Sequence, residues 1–282
     1  MAHEKSQVTA FVNATLLDGT RDMEPRAHQT VVVEGERIAQ VRDASAARVP
    51  GGARVVDLAG AWLMPGLVNM HVHLCGSGRP VSAGDAGALM RRLDNPVGRP
   101  IVRRVLLGSA QQQLASGVTT LRGAGDPLLA DIAVRDRIES GRALGPRVVA
   151  PGTGVTVPGG HGAGLFAQVA SSPEEASAQV RELYAQRADV FDATVAGEPG
   201  VLRMSPEVAR AACDMAHRLG LPVMAHVEST EGVRVALEAG VDTIEHGAPM
   251  TEQVLALYRG AAGTQLPGRL PSLTCTVSPA LP

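Results

Sequence analysis

The chain has 282 residues, 45% of them hydrophobic and only 2% aromatic, which suits one α/β barrel with a small appendage, or two ordinary domains, packed from Ala, Val and Leu. Its 26 Lys+Arg against 28 Asp+Glu leave a formal net charge of -2, which gives no footing for nucleic acid or an anionic membrane and points to a small, near-neutral substrate as partner. Cys75, Cys213 and Cys275 stand far apart with no CxxC pair, MAHEKSQ has no apolar run behind it, and no stretch nears the roughly 18 apolar residues of a membrane span, so a cytoplasmic protein is expected.

Residues 1–60 read as a small β subdomain. Strands are predicted at Val8–Leu17, Thr30–Val33, Arg37–Val41 and Ala53–Leu58, with Glu34-Gly35-Glu36 as a tight hairpin turn. Hairpins without a helical period predict an antiparallel sheet. From residue 61 to 282 short β-rich runs alternate with helical ones. Strands are predicted to end near residues 72, 122, 150, 195, 226, 246 and 277. Helices are predicted near Ile101–Ser116 and at Leu128–Ser140, Pro173–Arg187, Pro206–Leu219, Thr230–Ala239 and Thr251–Tyr258. Such alternation means a parallel sheet, open and doubly wound or closed as a (β/α)₈ barrel. The absence of GxGxxG after the first strand weakens the dinucleotide-binding option. Residues 75–100 and 151–165, rich in Gly and Pro, read as loops at the carboxyl ends of strands, where a barrel builds its site.

The sharpest chemical signal is His71-Val72-His73 at the end of the apolar run Leu67-Val68-Asn69-Met70. Residues two apart on a strand face the same side, so two imidazoles emerge together and can share a metal ion. His226 and His246 each close a predicted strand, and in a barrel the carboxyl ends of different strands converge. Zinc is the first expectation for imidazole ligands, with iron, manganese and nickel as alternatives. Arg122 suits either a substrate carboxylate or a structural salt bridge. His161, in Gly159-Gly160-His161-Gly162, is by itself an exposed loop histidine.

The run Leu63-Met64-Pro65-Gly66-Leu67-Val68-Asn69-Met70-His71-Val72-His73 resembles the first barrel strand of the amidohydrolase superfamily, in its imidazolonepropionase-like and prolidase-like subset. Gly117-Val118-Thr119-Thr120-Leu121-Arg122, Gly145-Pro146-Arg147-Val148, Ala225-His226 and Gly240-Val241-Asp242-Thr243-Ile244-Glu245-His246-Gly247 follow in the order of that family. The resemblance implies a (β/α)₈ (TIM) barrel beside a small β-sandwich, and a metal-activated water that hydrolyses a C–N bond in an amide, cyclic amide or peptide-like small molecule. It implies that His71 and His73 bind the first metal, that His226 and His246 bind a second or complete the first site, and that His161 contacts the substrate. Asp192 stands where the prolidase-like enzymes carry a carbamylated lysine that bridges two metals, so one divalent ion is expected here rather than two.

The family's eighth strand carries a catalytic aspartate. Here Pro271–Val277 resembles the seventh strand and the sequence ends at Pro282, so the expectation is a barrel incomplete at its C-terminal end, with no catalytic residue named. Three readings stay open. The missing part comes from another polypeptide or another copy of this chain; the reaction needs no aspartate base; or the barrel binds metal or ligand without hydrolysis.

Overall fold

The computed structural model describes residues 7–76, 83–196, 204–260 and 271–275. It divides into two compact units, Met1–Gly66 and Leu67–Pro282.

In the first unit β1 (Val8–Leu16) is the organiser. It pairs antiparallel with β2 (Arg26–Glu34), which pairs antiparallel with β3 (Arg37–Asp43). Gly35 takes φ 59° in the β2–β3 turn, the left-handed backbone that the hairpin reading asked of it. The sheet is nevertheless mixed rather than antiparallel. Residues 44–53 carry the chain back along the sheet, so that β4 (Arg54–Asp57) joins β1 on its other side in parallel, and β5 (Trp62–Leu63) pairs parallel with β1 further along. Ala10, Ala14, Leu16, Val31 and Val32 are its buried apolar residues.

The second unit is of TIM-barrel type, an α/β fold in which every strand pairing is parallel. One ladder runs β6 (Leu67–Val72), β7 (Val118–Gly123), β8 (Arg147–Val149). Between β6 and β7 lie α1 (Ala83–Leu93) and α2 (Gly98–Ala115), and α3 (Ala130–Glu139) precedes β8. The second ladder contains β9 (Gly154–Thr156), β10 (Ala167–Val169), β11 (Phe191–Ala196), β12 (Val223–Val227), β13 (Thr243–His246) and β14 (Ser272–Thr274), in spatial order β10-β9-β11-β12-β13-β14. Helices α4 (Pro173–Ala185), α5 (Pro206–Arg218), α6 (Thr230–Ala239) and α7 (Glu252–Gly260) alternate with its later strands. Seven of these strands fall where the sequence predicted them. The last stops at Thr274 with Cys275 outside it, and the rest of its expected extension to Val277 lies outside the described residues.

The helix starts follow from local chemistry. Ser172, Ser205 and Ser229 each accept a hydrogen bond at Oγ from the backbone N–H three residues on, satisfying one of the donors a first turn leaves bare. Pro173 and Pro206 then supply a helical φ where no N–H is needed. The core is built from small and branched side chains, as the composition required: Val223, Ala225, Val227, Ile244 and Phe191 are all fully buried. Where β8 and β11 share no ladder, Asp189 clasps the gap. Its N–H donates to Ala150 O at 2.9 Å, and its Oδ2 accepts from Ala150 N at 2.9 Å and Arg135 Nη1 at 2.7 Å. No described helix is long and apolar enough to cross a membrane.

Candidate metal centre

Strand register decides which side chains can meet. Thr194 on β11, His226 on β12 and Glu245 on β13 are paired across the ladder, so all three project to one face. Asp192, two residues before Thr194, shares that face. His246 follows Glu245 but leaves the strand conformation, with φ 68° in the left-handed region that a non-glycine residue occupies at a cost of about 1–3 kcal/mol. The turn is held by Gly247, whose N–H donates to Val227 O at 2.8 Å. That kink returns the His246 ring towards His226. His226 Nδ1 lies 2.9 Å from His246 Nε2.

Across from them, β6 delivers His71 and, just past its end, His73. The His71 ring centroid is 4.9 Å from that of His226, 4.7 Å from His246 and 5.5 Å from His73. One nitrogen from each of His71, His226 and His246 lies within 4.8 Å of the other two, so this trio could hold one ion. His73 stands beside it, 5.6 Å from His226 centroid to centroid, with Nδ1 2.8 Å from Gly125 O. The four imidazoles expected from three strands are therefore brought together.

Asp192 joins them. Its Oδ1 is 3.4 Å from His226 Nε2, an ion-pair contact that falls short of hydrogen-bond geometry, so both buried atoms lack a hydrogen-bond partner among the described residues. Two glycines make its room: a Cβ on Gly154 would stand 2.7 Å from Asp192 Oδ2, and one on Gly125 3.2 Å away. Two buried donor atoms without hydrogen bonds, one an imidazole nitrogen and one a carboxylate oxygen, are what a site for a divalent cation requires. The residues present fit the group.

The electrostatics agree. Burial, then the charge of His226, holds His73 down to about 4, and burial and the same neighbour hold His246 down to about 3, so both rings are neutral and available as ligands at pH 7. Burial also disfavours charge on His226, but Asp192 and Glu245 outweigh it and its pKa ends above the ordinary value. Burial pushes Asp192 up, and His226, with His73 and His71, more than reverses this, leaving a carboxylate.

Beneath the cluster, Asp126 accepts from Cys75 N at 2.8 Å and Leu74 N at 3.2 Å, fixing the turn that follows His73. Its neighbour Asp131 accepts from Gly152 N at 2.8 Å. Both are fully buried, and burial pushes both carboxyls up.

The structure places the two remaining sequence candidates differently. His161 is exposed on the loop after β9, its ring 5.5 Å from Phe166, which in turn lies 4.7 Å from His73. Arg122 is buried, and its guanidinium is engaged by Met70 O, Thr243 Oγ1, Glu245 Oε1 and Thr274 Oγ1 at 2.6–3.1 Å. Of its two sequence readings, the bonds it makes match the structural one. Glu245, absent from the sequence-derived set, is wholly buried with Oε2 2.9 Å from His71 Nδ1.

Parallel βα units that gather imidazoles and a carboxylate at their strand ends make an α/β protein of TIM-barrel type with a candidate metal site. The chain belongs to the amidohydrolase family, a metal-dependent family whose model matches residues 62–260. It is 30% identical over 216 residues to the protein Rv2915c of Mycobacterium tuberculosis, an alignment covering 74% of this chain and 50% of that one. Among solved structures it resembles a prolidase complexed with N-methylphosphonate-L-proline, with TM-score 0.78 and 25% identity over 90% of this chain and 64% of that one. It also resembles a Xaa-Pro dipeptidase with bound methionine in its active site, with TM-score 0.74 and 27% identity over 90% of this chain and 65% of the other. The chain thus spans about half to two-thirds of the length of these relatives.

Proposed function

We propose that this chain is a hydrolase of C–N bonds in small molecules, acting on amides, cyclic amides or dipeptides with one divalent metal ion. The observation that carries the reading is the convergence of His71, His73, His226 and His246 with the buried Asp192, whose Oδ1 and the facing His226 Nε2 lack hydrogen bonds among the described residues. The prolidase and dipeptidase relatives support the bond class.

His71, His226 and His246 hold the ion, with His73 and Asp192 completing the set. Zinc suits these donors best, and iron, manganese and nickel are alternatives. One carboxylate on a short stem at β11 suits a single ion. When bound, the ion supplies Lewis acidity, drawing the pKa of water towards neutrality and polarising the carbonyl under attack. As neutral rings at pH 7, His73 and His246 each carry one N–H and one nitrogen lone pair. Phe166 lies against both His73 and His161, and His161 meets the substrate from its exposed loop.

Three free cysteines suit a cytoplasmic setting. Leu67, Val68 and Met70, exposed on β6, suit pairing with a strand from another copy or from a complementing chain that completes the barrel.

The test is turnover of the zinc-loaded protein on a panel of X-Pro dipeptides, N-acyl amino acids, lactams and ureas. Activity that disappears in His71→Ala, with its circular dichroism unchanged, is the expected result. Full metal loading without turnover on any of these bonds leaves a barrel that binds metal or ligand and does not hydrolyse.

A further inference from the structure

Arg122 and Glu245 form a buried charge pair that the hydrolytic reading does not use. Glu245 Oε1 accepts from Arg122 Nη2 at 2.6 Å and from Thr243 Oγ1 at 3.0 Å, and the Glu245 side chain has no exposed surface. Arg122 reaches out of β7 to three other strands: Nε donates to Met70 O on β6 at 2.8 Å, Nη1 to Thr243 Oγ1 on β13 at 3.1 Å, and Nη2 to Thr274 Oγ1 on β14 at 3.1 Å. The first ladder and the second are thereby joined through side chains across the interior of the unit. The second carboxylate oxygen, Glu245 Oε2, is then left pointing at His71, 2.9 Å from Nδ1.

A carboxylate anchored by a guanidinium accepts hydrogen bonds and has none to give, so the proton on this contact belongs to the imidazole. The partner of one ring nitrogen sets the tautomer and so decides which nitrogen is bare. We infer that Glu245, clamped by Arg122, is the positioning residue that holds His71 as its Nδ1–H tautomer, leaving Nε2 as the metal-facing donor. His71 sits on a strand paired with β7 alone among the described residues, and its ring meets Glu245 Oε2 through Nδ1. The inference rests on the metal-site reading above.

Ring ¹⁵N spectra of the metal-free protein test it without any metal. His71 is expected to show a protonated Nδ1 and a bare Nε2 in the wild type; a protonated Nε2 overturns the inference. Removing one member alone leaves a buried unpaired charge, so the variants remove both. R122M/E245L deletes the acceptor, and R122M/E245Q restores one without the charge. The first is expected to lose the Nδ1–H tautomer and to bind zinc about 10- to 100-fold more weakly, with the second recovering most of both. Wild-type affinity and tautomer in a folded R122M/E245L would mean that the pair only braces the fold. A wild-type protein that takes up no zinc would instead sink the function proposed above, while its ring spectrum still decides the role of Glu245.

Discussion

Strands β6 and β12 each carry a candidate site histidine as their last residue but one, yet they hold it in opposite surroundings. Every residue of β12 from Val223 to Val227 is buried, between β11 on one side and β13 on the other. Among the described residues β6 pairs with β7 alone, and it leaves Leu67 49%, Val68 58% and Met70 44% exposed. The histidine of the central strand lies between backbone ladders on both sides, with a register shift beside it on β11. That of the exposed strand is held by side-chain contacts: its own N–H donates to Asn69 Oδ1, and its ring Nδ1 meets Glu245 Oε2. The imidazoles are therefore brought together by strands that are not equally buried.

The contrast predicts unequal costs. Phe191→Ala, beside β12 and fully buried, should cost about 3–5 kcal/mol in urea denaturation, whereas Val68→Ala on β6 should stay within about 0.5 kcal/mol. Equal costs would break the comparison.

Acid offers a second test on the metal-free protein. The folded pKa of His73, about 4, lies below its unfolded value of 6.5, so the unfolded chain binds the extra proton between those limits and stability falls as pH drops from 6.5 towards 4. Protonation of His73 should remove on the order of 3 kcal/mol over that window. His226, raised, works the other way and loses its share as pH rises through its folded pKa. The His73 share is therefore the difference between wild type and His73→Asn in denaturation midpoints across pH; parallel curves would contradict the assignment.

A smaller effect is expected at Asp192. Asp192→Asn keeps the shape inside the Gly125–Gly154 cradle but loses the charge, and zinc affinity by isothermal titration should fall about tenfold or more. Least of all in stability, Val68→Lys should leave the denaturation midpoint within about 0.5 kcal/mol while lowering any self-association seen by sedimentation, because a charge on an exposed edge discourages strand pairing.

The backbone plan and the histidine cluster were legible because both rest on local signals. Ser-Pro starts, glycine stops and apolar runs located seven parallel strands, and histidines ending three of them converge once such strands are laid side by side. Helix α1 escaped because Gly84 and Gly87 weaken its helical signal, and β9 and β10 escaped because three-residue strands exist only through their tertiary register. Asp192 entered only through a family resemblance; its local signal was the pair of glycines, Gly125 and Gly154, whose missing side chains make its space. Glu245 was invisible for a different reason. A glutamate inside an apolar strand announces that a partner is needed, but the partners are Arg122 and His71, more than 120 residues away in sequence.

The central claim is that four imidazoles and Asp192 form a site for one divalent ion. Elemental analysis of purified protein after incubation with zinc, beside a His71→Ala/His226→Ala variant of unchanged circular dichroism, tests it most directly. About one equivalent per chain in the wild type, lost in the variant, is the predicted result. A folded wild type that binds none, or a variant that binds as much, would contradict the account.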